Sequence, residues 1–86
     1  MFHKIKYAEV LPGFKLKVKF ENDAIKIYDV SVLVDKYPCF IKLKDNPDLF
    51  NSIKVDAGGY GVSWDDDLDI SCNELWENGI EQKKLP

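Results

Sequence analysis

The chain has 86 residues, 45% apolar and 31% charged, with 12 lysines, 15 acids and no arginine, for a net charge of −3. That length allows one domain with a thin core, burying about 60 to 65% of the unfolded surface, and the composition excludes a disordered chain. No apolar run approaches the roughly 20 residues that cross a bilayer, and the opening MFHKIKYAEV lacks a signal peptide's apolar stretch. A cytoplasmic protein without membrane association is therefore expected.

Charge is unevenly distributed. Met1 to Lys44 carries nine lysines against five acids, +4, whereas Asp45 to Pro86 carries three lysines against ten acids, −7. Such halves attract within one fold or between two copies, so a homodimer is compatible with the sequence, while the acidic half disfavours nonspecific nucleic-acid binding. Without arginine there is no rigid fork for guanine edges or phosphates. Cys39 and Cys72 form no C-x-x-C motif and His3 is the sole histidine, so a zinc site lacks ligands and both thiols are expected reduced.

In chain order, His3 to Leu11 reads as a strand with Ile5 and Tyr7 on one face, its phase blurring at Ala8 to Val10. Pro12 and Gly13 suit a type II turn, which fits strand twist poorly and calls for a splay or a bulge. Phe14 to Phe20 alternates cleanly, with Phe14, Leu16, Val18 and Phe20 facing the core and Lys15, Lys17 and Lys19 facing out. A primed turn over Glu21 to Ala24 then leads into a third strand with Ile25 and Ile27 inward and Lys26 and Tyr28 outward.

Ser31 to Lys36 is expected to form one helical turn capped by Ser31. Tyr37 to Lys44 reads as a short extended segment. Asn46 caps a short helix with Pro47 at its first position and Asp48 at the positive end of the dipole, docked by Leu49, Phe50 and Ile53.

Ile53 to Glu77 carries the richest signals. Ile53 and Val55 alternate with Lys54 and Asp56, Gly58 and Gly59 reverse the chain, and Val62 and Trp64 return as an antiparallel partner. These glycines lead into a strand rather than a helix, which excludes a dinucleotide fingerprint. Asp65, Asp66, Asp67 and Asp69 resemble a calcium loop, but Ile70 and Trp76 stand where the loop glycine and the twelfth-position glutamate would be. The bland reading is a solvated loop in which Asp69 holds a backbone amide at the strand end. Ser71 and Glu74 fit a capping box, Ile70 and Leu75 a hydrophobic staple, and Asn78 with Gly79 a left-handed cap, giving a helix over about Cys72 to Glu77. Trp76 is expected to pack on the sheet. The tail from Ile80 is polar and expected to fray.

The fold expected is a small α+β domain over residues 1–80, with an N-terminal three-stranded meander, a C-terminal hairpin and two or three short helices, followed by a frayed tail over 81–86. FENDAIKIYDV, LFNSIKVDAGGYGVSW and DLDISCNELW, taken together, resemble a small bacterial family known as domain of unknown function 2442. The likeness covers nearly the whole chain and implies a compact α+β domain, in some members with an added helix-turn-helix, in others beside a second small protein in a toxin and antitoxin-like arrangement. Asp23 stands where the family commonly has glycine, Cys72 where it has proline, and Trp76 where it has tyrosine. The resemblance carries no catalytic residue.

An enzyme is not expected, because His3 is the only imidazole and the acids crowd one loop instead of flanking a cleft. No metal or cofactor is implied. The expected function is a non-catalytic interaction module of an antitoxin-like kind, binding a second small protein encoded nearby through Tyr60, Trp64 and Trp76 with Asp65 and Asp69 at the rim. The alternative is small-ligand or nucleic-acid binding on a lysine-lined sheet face formed by Lys15, Lys17, Lys19 and Lys26 with Tyr28.

Overall fold

The computed structural model describes residues 3–65 and 67–82. Two antiparallel sheets and four short helices make the α+β fold expected from the sequence. The larger sheet has the order β1-β2-β3-β7, from β1 (Ile5–Leu11), β2 (Lys15–Phe20), β3 (Ile25–Asp29) and β7 (Ile80–Glu81). The smaller has the order β4-β5-β6, from β4 (Lys54–Val55), β5 (Gly61–Asp65) and β6 (Leu68–Ser71). Between them lie α1 (Ser31–Lys36), α2 (Ile41–Asp45), α3 (Pro47–Asn51) and α4 (Cys72–Asn78). One apolar cluster joins both sheets and all four helices, with Leu16, Val18, Phe20, Val62, Leu68 and Leu75 fully buried. Each such side chain contributes roughly 1.5 to 3 kcal/mol by leaving water.

The alternation in β2 is seen as read: Leu16, Val18 and Phe20 are inside and the lysines between them outside. Both of its flanking turns depart from expectation. Phe14 belongs to the turn, at φ +61, a costly value for a bulky side chain. Its ring packs 5.0 Å from that of Phe50 and its carbonyl accepts the Val30 amide at 3.1 Å, which together hold it there. In β1 a register shift between Ile5 and Tyr7 puts Ile5 in the core and leaves Tyr7 exposed, so these two do not share a face. The blurred phase at Ala8 to Val10 is the sequence trace of that bulge.

The loop after β2 is not a two-residue primed turn. The Asp23 amide donates to the Phe20 carbonyl at 2.9 Å, Asp23 sits at φ +72, and the Ala24 amide donates to Asn22 Oδ1 at 3.0 Å. Glu21, Asn22 and Asp23 therefore form a three-residue loop, and the added residue reverses the phase of β3. Leu16 pairs with Tyr28 and Val18 with Lys26, so Tyr28 and Lys26 face inward while Ile25 and Ile27 share the outer face with the lysines. Tyr28 is 1% exposed.

Ser31 does not cap α1: Val30 holds the N-cap position without a side-chain cap, and Asp29 Oδ1, one residue before it, accepts the Ser31 hydroxyl at 2.6 Å and its amide at 3.0 Å. These two bonds hold the Asp29 carboxyl below the usual carboxylate range. The segment read as extended is helical from Pro38 onward. Tyr37, preceding proline, takes the extended conformation, Pro38 opens a 3₁₀ turn, and Phe40 and Leu43, three apart, are both buried as the chain continues into α2. Asn46 caps α3 as expected, its Oδ1 accepting the Leu49 amide at 3.3 Å.

In α4, Ser71 Oγ accepts the Glu74 amide at 3.1 Å, and Ile70 and Leu75 are both buried, as a staple requires. Glu74 does not complete the box, because its carboxylate is engaged elsewhere. Gly79 is no left-handed cap: it is extended at φ −75 and ψ 150. Glycine is needed there for room, since a Cβ would lie 2.5 Å from the Leu75 carbonyl and 3.0 Å from Lys26 Cβ. That close approach delivers Ile80–Glu81 to the edge of β3, where a frayed tail was expected. The Gln82 amide still donates to the Ile25 carbonyl at 2.8 Å, and residues 83–86 of the expected tail lie outside those described.

Gly58 and Gly59 turn β4 into β5 as the sequence implied, through a short 3₁₀ segment. At Gly59, φ is +80 and a Cβ would meet the Ile5 carbonyl at 2.7 Å and the Ile5 amide nitrogen at 2.9 Å. Replacing Gly59 with alanine is therefore expected to cost at least about 2 kcal/mol, read as a lower urea midpoint with an unchanged slope.

Candidate functional site

The residues expected to form one contact surface are dispersed. Trp64 is 5% exposed and belongs to the core: its indole N–H donates to the Phe50 carbonyl at 2.9 Å, and Phe50 stacks on it at 6.0 Å. An indole with a buried hydrogen bond and an apolar cage has no face left to offer a partner. Asp65 ends β5 and holds the turn that follows, its Oδ1 accepting the Asp67 amide at 2.9 Å; Asp66 lies outside the described residues. Tyr60 is 48% exposed beneath Lys4, whose ammonium lies 5.4 Å from the ring centre.

Trp76 is half-buried and packed, as expected, on the sheet. Phe20 meets it edge-on at 5.0 Å, His3 stacks on it at 3.7 Å with the rings 2° apart, and the Lys26 ammonium lies 4.0 Å from its centre while donating to the Trp76 carbonyl. Lys26 thus lays its stem along the core side and carries its charge to the carbonyl end of α4. Asp69 alone of the five lines a groove. It is exposed in mid-strand opposite Ser63 rather than holding a backbone amide.

That groove, about 380 Å³, runs between α1 with the 3₁₀ turn on one side and β6 with the start of α4 on the other. Leu33, Phe40 and Ile70 give it an apolar floor; each is buried. Tyr37 stands at its edge, 56% exposed, its ring 6.4 Å from that of Phe40. Asp67, Asp69 and Glu74 supply carboxylates, and Cys39 and Ser71 complete the lining. Cys39 is an exposed free thiol and Cys72 a buried one.

Glu74 is the best-held of these acids. Its Oε2 accepts the Tyr28 hydroxyl at 2.8 Å and the Asn78 side-chain amide at 2.9 Å. Burial, then the hydrogen bond to Glu74 and the negative charge beside it, raise the Tyr28 phenol far above its ordinary value. Tyr37, Phe40 and Glu74 were missed as groove residues because each depended on an element read differently: an extended segment that is helical, and a capping carboxylate that instead meets an inward tyrosine. The pairing of Pro38 with buried residues three apart was the available signal.

The lysine face is also rearranged. Lys26 and Tyr28, expected on it, lie on the opposite side of the sheet. Lys17 pairs with Glu9 at 3.8 Å and Lys19 with Asp23 at 3.9 Å, while Lys15 stands across from Asp29. Exposed pairs of this kind add little stability, but each sets an anion beside a cation and cancels the field that a phosphate backbone would sense. Among the described residues no group of three or more histidine, cysteine, aspartate or glutamate side chains is placed to hold a metal ion, and no helix is long and apolar enough to cross a membrane.

Two packed antiparallel sheets with a groove beside the last helix define a small α+β domain. The chain belongs to the family described as protein of unknown function (DUF2442), whose model matches residues 5–81. No curated protein and no solved structure matches it.

The Tyr28 and Glu74 contact gives a direct test. Tyr28→Phe is expected to lose about 1 to 2 kcal/mol of stability at neutral pH, the worth of a hydrogen bond to a charged group at a partly buried position. An unfolded phenol ionises near pH 10, and the folded one above it. Stability gained by keeping Tyr28 neutral is therefore complete below about pH 10 and declines as the pH rises beyond. Chemical denaturation between neutral and alkaline pH should show that decline in the parent chain and less of it in Y28F.

Proposed function

We propose that this domain is a non-catalytic interaction module that binds a second, small protein and regulates it, in the manner of an antitoxin and a partner encoded beside it. The groove between α1 and β6 carries this reading: it keeps a buried apolar floor next to an aromatic ring more than half exposed and three carboxylates at the rim. Apolar floors with polar rims and an aromatic anchor are how protein interfaces concentrate binding energy. The acids all stand on the β6 and α4 side of the groove instead of facing one another across it, which suits recognition of side chains better than proton transfer at a reacting bond.

The alternative, nucleic-acid or small-ligand binding on the lysine face, has less support. The inward turn of Lys26 and Tyr28 removes one cation and the stacking ring, and the remaining row of lysines is flanked by acids.

Tyr37→Ala should leave the thermal midpoint within about 2 °C of the parent, because the side chain is exposed. Tagged chain purified from its native cells is expected to bring down the neighbouring gene's product at near one to one, and Y37A roughly tenfold less, the loss of about 1.4 kcal/mol expected for an aromatic anchor. Absence of that protein, or its equal capture by Y37A, would count against the proposal.

A further inference from the structure

We infer that the groove takes an arginine side chain set beside an apolar one, presented by a protein other than a second copy of this chain; the inference rests on the interaction-module reading and names the chemistry of its partner. Among the described residues three carboxylates and no lysine line the groove, so its charge selects a cation. An apolar side chain alone would fill the floor while leaving those carboxylates partly desolvated and unpaired. An anion would add repulsion.

Glu74 fixes where the cation sits. With Oε2 holding both the Tyr28 hydroxyl and the Asn78 amide, the carboxylate is set in place before anything binds, and little side-chain freedom remains to be lost. Its Oε1 accepts no hydrogen bond among the described residues and is the acceptor left for an incoming N–H. Asp67 and Asp69 are exposed on the same side of the groove and take further donors. Tyr37 presents an uncovered ring at the same edge. A guanidinium satisfies both demands, lying flat on the tyrosine while its five N–H groups reach separate carboxylates; an ammonium is a more strongly hydrated point charge and does the first poorly. The apolar neighbour of the arginine then covers Leu33, Phe40 and Ile70. This chain contains no arginine, so another copy of it has no such side chain to offer.

The experiment is a titration of the isotopically labelled full chain with three short glycine- and serine-flanked peptides, alike except for a central Leu-Arg, Leu-Lys or Leu-Glu, followed by backbone amide NMR shifts at low salt. The Leu-Arg peptide is expected to move the amides of residues 33–40 and 67–74, the lysine peptide to bind severalfold more weakly and the glutamate peptide not to bind. Asp67→Asn with Asp69→Asn, both at exposed positions, should weaken the arginine peptide roughly five- to tenfold without lowering the thermal midpoint. Equal binding of the glutamate peptide, shifts confined to another surface, or no shift at millimolar Leu-Arg would overturn the inference. So would groove shifts that depend on protein concentration alone, which would make a second copy the occupant. If the native partner still co-purifies while the arginine peptide leaves the groove untouched, the module reading stands and only this chemistry falls; if both fail, both fall.

Discussion

The hydroxyl of Tyr28 and the carboxylate of Glu74 meet across the interface between the larger sheet and the last helix, and much of the molecule is arranged so that they can. Fewer than two full turns of helix have no stability of their own, so α4 exists because it is docked. Leu75 anchors it by burial, and Tyr28 and Lys26 anchor it by direction, one holding a side chain of its first turn and the other a carbonyl of its last. A buried phenol without an acceptor would be costly. Glu74 meets that need, and in doing so turns away from the backbone amide it would otherwise cap.

The same contact shapes the groove. Because Glu74 is drawn toward the sheet, its carboxylate lies along the wall facing α1 instead of over the helix end, and the apolar residues of the 3₁₀ turn find an acid opposite them. The electrostatic layout follows from this geometry. Acids accumulate on the side built from β6 and α4, while the lysines of the larger sheet lie among acids of their own strands and turns. Part of the negative charge concentrated in the second half of the sequence thus gathers in one cleft.

Much of this was legible in the amino-acid order. The alternation in β2, the glycine reversal into β5, the Asn46 and Ser71 caps and the α+β class all follow from local chemistry that nothing elsewhere in the fold opposes. The misreadings arose where one local count decided a long stretch. In Ile25 to Tyr28 the alternation sets Ile25 and Ile27 against Lys26 and Tyr28 and by hydropathy favours the isoleucines inside; one extra residue in the preceding loop reverses that phase, and with it the positions of Lys26 and Tyr28. The proline before Cys39 pointed to extended chain by propensity, and tertiary burial of Phe40 and Leu43 overrode it. Trp64 and Trp76 both read as contact residues in the sequence; the packing of Phe50 and Phe40 around the first, and of His3 and Lys26 on the second, separates them.

The pairing of β7 with β3 joins segments far apart in sequence, and this has a bearing on biosynthesis. While the ribosome is still making the second half of the chain, β3 is an open edge with two isoleucines on one face and a tyrosine hydroxyl awaiting its acceptor on the other. An emerging meander in that condition can template pairing with a neighbouring nascent chain.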